Sequence, residues 1–318
     1  MMWGAPGIGK SSIVKQVAEE FSIELTDIRL SQLAPSDLRG LPVPDKENQI
    51  SQWFAPEFLP QSGSGILFLD ELNMAAPAVQ GIAQQLILDR QVGSYEVPTG
   101  WFIWAAGNRK EDQAAVYEMP APLANRFIHL EVTPHYDSFR QYAVHAGLNE
   151  QIQAFLAFRS ELLFEMSSGA HAWPSPRSWE MASQLHRSGL DIAPAIGEGA
   201  AGEFYTYIDV YEQLPDVESI LAGSGKEVAF PDEISLQYAT TIALSVRVGS
   251  AAKATHATRW LLHKADREFT QLFFKNVMDT LREVGDLGVF IQEIQDDETL
   301  SGQLDAFQKN IEGLLVHM

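Results

Sequence analysis

"GAPGIGKS", Gly4 to Ser11, is the stretch on which the reading of this chain turns. It fits the spacing G-x-x-x-x-G-K-[ST] in full: Gly4 and Gly9 bracket Ala5, Pro6, Gly7 and Ile8, and Lys10, Ser11 and Ser12 follow. Glycines at such a turn let backbone N–H groups point inward around a β-phosphate. The lysine reaches the β and γ oxygens, and the next hydroxyl is offered to Mg²⁺. A Gly-rich turn at a helix start would share the same letters and bind nothing. Only Met1 to Trp3 precede the first glycine, so the strand that normally leads into such a loop is expected to be truncated. Unpaired groups beside a central strand are expensive. The favoured expectation is therefore a misassigned start with coding sequence upstream; the alternative is a domain that tolerates a shortened strand.

The chain's 318 residues suggest two or three domains, and 46% hydrophobic with 20% charged residues is ordinary globular composition. Forty-two Asp and Glu against 22 Lys and Arg give a formal charge of −20, a field that repels polyphosphate backbones and argues against nucleic acid as partner. With no Cys there are neither disulfides nor thiolate metal sites. No apolar run reaches the length of a membrane span, and no basic-then-apolar leader opens the chain, so a cytoplasmic protein is expected.

From Gly4 to about Val132, apolar runs alternate with amphipathic stretches. Ile23–Leu30, Ile66–Asp70, Trp101–Ala106 and Phe127–Val132 read as strands; Lys10–Phe21 and Pro77–Arg90 read as helices, the second through Val79, Ile82, Ala83 and Leu86. The alternation predicts an α/β parallel sheet with right-handed crossovers. Residues 34–60 are Pro-rich and read as an insertion, with a hairpin around "VPDKENQISQW" turning near Glu47 and Asn48. After Pro134 the strand signals stop. Ser138–Ala146, Gln151–Phe164 and Ser178–His186 read as helices, "LAGSGKEVAFPDE" at Leu221–Glu233 as a linker, and Ile234–Met318 as helical again, with acidic runs such as "EIQDDE".

Five further residues carry chemistry. "ILFLDE", Ile66 to Glu71, is an apolar strand ending in two carboxylates: Asp70 beside the loop would hold magnesium through its waters, and Glu71 would orient an attacking water as base. Two acids after a strand also suit a plain helix N-terminus. "FIWAAGN" delivers Asn108 to the carboxyl end of another buried strand, where ligands of parallel sheets bind, although asparagine is also a simple turn former. Arg126 in "PLANRF" precedes a strand and keeps its charge at any physiological pH. Arg177 in "WPSPRSWE" sits at a helix start, an unfavourable place for a cation unless a phosphate or a carboxylate such as Glu180 compensates.

In order and content the chain resembles an AAA+ ATPase, and in wording the MoxR branch, on "RLSQLAPSDLRGLP" at Arg29–Pro42, "LDELNMAAPAVQ" at Leu69–Gln80, "AAGNR" at Ala105–Arg109, "LANRF" at Leu123–Phe127 and "PSPRSWE" at Pro174–Glu180. The resemblance covers about the first two thirds. It implies a P-loop core with sheet order 5-1-4-3-2 at residues 1–133, a pore-facing insert at 34–60, a helical lid at 134–222 and a helical extension at 223–318. It makes Asp70 and Glu71 the Walker B pair, Asn108 sensor 1, Arg177 sensor 2 and Arg126 an arginine finger acting in trans. It further implies ATP and Mg²⁺ as cofactors, a self-assembled ring, commonly a hexamer, and a chaperone-like remodeler working with a von Willebrand A domain protein on a client that no motif identifies. Two alternatives stay open: a nucleotide-gated assembly module with little hydrolysis, and a DNA-directed motor.

Three remaining features read blandly. His256, Arg259 and His263 suit a solvated helix face better than a metal or anion site. "WLLHKADREFTQLFF", Trp260–Phe274, reads as the apolar side of one helix, or a docking face. Trp173 and Trp179 read as lid core, with an adenine stack as the alternative.

Overall fold

The computed structural model describes residues 1–112, 116–166, 169–297 and 300, and falls into two compact units, Met1–Pro134 and His135–Met318. In the first, strand β1 (Met2–Trp3) enters the Gly-rich loop and helix α1 (Lys10–Glu20). Strand β2 (Glu24–Arg29), helix α2 (Pro35–Arg39), the hairpin β3 (Leu41–Asp45) and β4 (Ile50–Phe54), and strand β5 (Ser64–Asp70) come next. Helix α3 (Pro77–Asp89), a second hairpin β6 (Gln91–Val92) and β7 (Tyr95–Glu96), strand β8 (Gly100–Gly107), helix α4 (Ala121–Ala124) and strand β9 (Leu130–Glu131) complete the unit. The sheet order is β2-β5-β8-β1-β9, with every pairing parallel. Counting only the sheet's own strands from the N-terminus, that is the order 5-1-4-3-2. This is a P-loop AAA+ type of core followed by a helical C-terminal part.

Strand β5 explains the layering. Ile66 and Phe68 pack on one side in a cluster with Val14 and Ala18 of α1, while Leu67 and Leu69 pack on the other with Val79, Ala83 and Leu86 of α3. A strand apolar on both faces is stable only with a helix over each, and crossover connections supply them.

Strand β1 is two residues long, yet it pairs with β8 through Met2↔Ala106 and with β9 through Met2↔Leu130. Of the strand expected over Phe127–Val132 only Leu130–Glu131 joins the ladder, because the chain is still turning at Phe127, whose N–H bonds Ala124. The insertion does fold as a hairpin. Asp45 fixes its turn by accepting from the N–H groups of Glu47 at 3.0 Å and Asn48 at 3.1 Å and from the side chains of Asn48 and Gln52, which lower its carboxyl pKa. The second hairpin was not anticipated, although Gly93-Ser94 between short strands is a two-residue turn signal.

Among its described residues the second unit is built from helices: α5 (Tyr136–His145), α6 (Glu150–Phe158), α7 (Pro176–Arg187), α8 (Ala193–Ile196), α9 (Glu198–Tyr211), α10 (Val217–Leu221), α11 (Ile234–Arg247), α12 (Ala251–Lys264), α13 (Arg267–Glu283) and α14 (Leu287–Asp296). Phe155 lies at the centre of its core, 5.6 Å from the Trp179 ring and 5.5 Å from that of Phe204. Trp179 is fully buried and donates its indole N–H to the Leu162 carbonyl at 2.8 Å.

Two expected helices are each broken. Gln151–Phe164 stops at Phe158: Arg159 leaves helical geometry, its guanidinium pairs with Glu161 and Glu203, and a 3₁₀ turn tucks Leu162 and Leu163 into the core. Trp260–Phe274 is two helices, because Ala265 is extended and the Asp266 carbonyl opens α13 by accepting from Phe269 N–H. His256 bonds the Leu221 carbonyl, and Arg259 pairs with Asp297. The segment 221–233 joins α10 to α11, with Phe230 against Trp260 and Phe269. Residues from 301 onward, and Glu298 of the acidic run, lie outside the described residues.

Two predictions follow from this packing. Phe68→Ala, at a site with 0% exposure, should lower the unfolding free energy by about 3–5 kcal/mol, whereas Phe102→Ala, at 65% exposure, should lower it by less than about 1 kcal/mol; denaturant titration of the full chain compares them. His186, bonded to Gln151 and edge-on to Phe204, has its imidazole pKa lowered by burial. The unfolded chain therefore binds more protons, and the stability His186 contributes is complete above the unfolded value near 6.5 and is lost as pH falls through the lower folded value. The parental chain should lose more thermal stability than His186→Gln between pH 7.5 and 5, as measured by melting curves.

Candidate nucleotide-binding site

The loop Gly4–Ser11 leads from β1 into α1, and its geometry depends on two glycines. Gly7 and Gly9 adopt φ of 82° and 95°, a region that residues with a Cβ enter at a cost. Gly9 is the N-cap of α1 and supplies no side-chain cap, so the first N–H groups of the helix are left for a ligand. Those groups and the positive end of the helix dipole suit an anion.

Lys10 is buried beneath the loop. Its Nζ donates to the Gly4 carbonyl at 2.7 Å, the Ala5 carbonyl at 2.9 Å and Asn108 Oδ1 at 2.9 Å. Ser11 Oγ donates to Asp70 Oδ2 at 2.7 Å. Asp70 ends β5 and Asn108 follows β8, the adjacent strand, so the carboxyl ends of two neighbouring strands deliver both groups to the loop.

Glu71 is turned by its backbone. It takes a left-handed conformation, φ 58°, which ends the strand and frees its carboxylate from the alternation that would send it to the opposite face from Asp70. Such a conformation costs on the order of 1 kcal/mol for a residue other than glycine. The turn is held by Asp70 Oδ1, which accepts the Glu71 N–H at 2.8 Å. The Glu71 carboxylate itself accepts the hydroxyl of Ser31, which lies just after β2. On β2, burial raises the Asp27 carboxyl pKa; the charge of Asp70 adds to this, Arg29 opposes it, and Glu71 adds a smaller rise.

Thus Lys10, Ser11, Asp70, Glu71 and Asn108 come together around one loop, with Gly4, Ala5, Pro6, Gly7, Ile8, Gly9 and Ser12 forming the rest of it. Arg126 does not join them. It is exposed after α4, and its side chain makes no hydrogen bond or ion pair among the described residues. Arg177 belongs to the second unit, as the exposed second residue of α7; Glu180, the carboxylate considered as its compensation, hydrogen-bonds Tyr142 instead. Trp179 is core, as described above, and Trp173 is half-buried.

Sequence reasoning gave no role to Ser31 or Asn73. Asn73, which is 4% exposed, donates from Nδ2 to the Asn108 carbonyl at 2.7 Å and accepts from the Asn108 N–H at 3.1 Å. Both residues lie in short stretches that resemble the family's wording, but a serine after a strand and an asparagine after two acids are common, and only their partners distinguish them.

The arrangement fits a magnesium-bound nucleoside triphosphate. A glycine-shaped anion cradle, a buried ammonium and a hydroxyl–carboxylate pair suited to a hard cation stand together.

Comparison with known proteins agrees with the reading of the first unit. Residues 1–127 match the family described as "ATPase family associated with various cellular activities (AAA)". Among solved structures, a RuvB variant from Thermotoga maritima is similar at 17% identity over 71% of this chain and 68% of its own, with a TM-score of 0.39. NtrX from Brucella abortus, solved in complex with ADP, is similar at 16% identity over 93% of this chain and 63% of its own, with a TM-score of 0.39. No curated protein matches the chain. Residues 1–127, the part of the chain that matches this family's model, hold the loop, both carboxylates and Asn108.

Proposed function

We propose that this chain hydrolyses ATP with Mg²⁺ and acts as a ring-forming, chaperone-like remodeler of the MoxR type, working with a von Willebrand A domain protein. The observation that carries the proposal is the hydrogen-bonded pair of Lys10 with Asn108 and Ser11 with Asp70 around a glycine-shaped loop. In this reading residues 1–133 are the nucleotide-binding core with its insert at 34–60, residues 134–222 the lid and residues 223–318 an extension. The ring is a hexamer in the cytoplasm.

The roles follow from the chemistry each group can perform. Lys10 exchanges its loop carbonyls and Asn108 for phosphate oxygens. Ser11 and Asp70 hold the metal, which when bound offsets the charge that builds on the phosphates. Glu71 accepts a proton from the attacking water once Ser31 releases its carboxylate, and Asn108 orients that water against the terminal phosphate. Arg126 is exposed, as a group acting on a neighbouring subunit's nucleotide must be, and Arg177 is exposed at the start of α7, where an anion would offset the helix dipole.

Lys10→Ala should weaken nucleotide binding by roughly 100-fold or more, the loss expected when charge-assisted hydrogen bonds are removed, as read by titration with a fluorescent nucleotide. Glu71→Gln should leave that affinity within about threefold while phosphate release falls by roughly 10²–10⁴. Turnover by Glu71→Gln at the parental rate would remove the base assignment.

A further inference from the structure

Asn108 accepts from the Lys10 ammonium through its side chain at 2.9 Å, and its backbone is held by neither β5 nor β1. The register pairs β5 with β8 only as far as Leu69↔Ala105, and β1 with β8 only as far as Trp3↔Gly107. Asn108 is one residue past the β1 ladder and three past the β5 ladder. A peptide group there would be free to rotate, and the side chain with it.

The carboxamide of Asn73 closes that gap. Its Nδ2 donates to the Asn108 carbonyl at 2.7 Å and its Oδ1 accepts the Asn108 N–H at 3.1 Å, so one planar amide grips both polar groups of one residue, as another strand would. Its neighbour Met74 accepts the Asn108 side-chain N–H through Sδ at 3.0 Å. Asn73 is itself fixed: it lies in the 3₁₀ turn Leu72–Met74 directly after Glu71, and its carbonyl accepts the Tyr117 N–H at 2.7 Å. Gly107 permits the approach, since a Cβ there would stand 2.5 Å from Asn73 Oδ1.

We infer that Asn73 is a positioning residue for the hydrolytic step: it sets the orientation of the Asn108 carboxamide and ties it to the turn that carries Glu71. This rests on the hydrolytic reading above. Misplacing a catalytic group by about 1 Å can cost roughly 100-fold in rate while leaving ground-state binding intact. A residue that merely stabilised the fold would lower nucleotide affinity and turnover together.

The test compares Asn73→Ala, Gly107→Ala, Asn108→Ala and the double variant Asn73→Ala/Asn108→Ala in the full chain, measuring steady-state phosphate release and fluorescent-nucleotide affinity. Asn73→Ala and Gly107→Ala should each lower kcat by roughly 10–100-fold with KM and affinity within about threefold, and the double variant should be no slower than Asn108→Ala alone, because the two residues act as one unit. Multiplicative losses in the double variant, or affinity falling in step with kcat, would overturn the inference. Should the parental chain release no phosphate, the proposed hydrolysis fails by itself. Amide hydrogen exchange at Asn108 then tests the anchoring by Asn73 separately: faster exchange in Asn73→Ala supports it, and unchanged exchange overturns it.

Discussion

The first unit depends on the burial of β5 from both sides. Ile66, Leu67, Phe68 and Leu69 are each 3% exposed or less, and no single layer can hide such a strand. Two helices on opposite faces are required, and with parallel strands this forces crossover connections, which bring every strand's carboxyl end to the same edge. The polar residues that end β5 and follow β8 therefore meet because their apolar predecessors are packed. The hydrophobic layer thus aims Asp70 and Asn108 at the loop.

At that edge the polar groups satisfy one another. A buried ammonium is costly unless its N–H groups are accepted, and Lys10 finds two loop carbonyls and the Asn108 oxygen. The same contacts that make Lys10 tolerable hold the loop to β8, so packing and site geometry are coupled. Glu71 shows the converse: its left-handed backbone is strained, and it is retained where Asp70 holds its N–H and Ser31 holds its carboxylate.

Elsewhere the chain leaves apolar surface exposed. The insertion hairpin carries Leu41, Val43, Ile50 and Phe54 on one exposed face, while Trp53 on the other lies under the Arg39 guanidinium at 4.5 Å. The second hairpin is tied to the first where Ser94 Oγ donates to the Trp53 carbonyl at 2.6 Å. The hairpin is thus anchored at Trp53, through its ring and its carbonyl.

The sequence by itself determined the elements and the loop. Uniformly apolar runs marked β5 and β8, helical spacing marked α1 and α3, and the glycine, lysine and serine spacing marked the anion cradle, because these are local consequences of backbone geometry. The broken helices at Arg159 and Ala265 and the short β9 were not legible: Arg159 leaves the helix to pair with Glu161 and the remote Glu203, Ala265 is extended, and the chain is still turning at Phe127. The site divides in the same way. Lys10, Asp70, Glu71 and Asn108 could be read from motif chemistry, whereas Ser31 and Asn73 could not, because a hydroxyl or a carboxamide acquires a role only from the atom it faces. Which atoms face one another was decided by the tertiary structure, when the sheet brought residues 31, 73 and 108 to one edge.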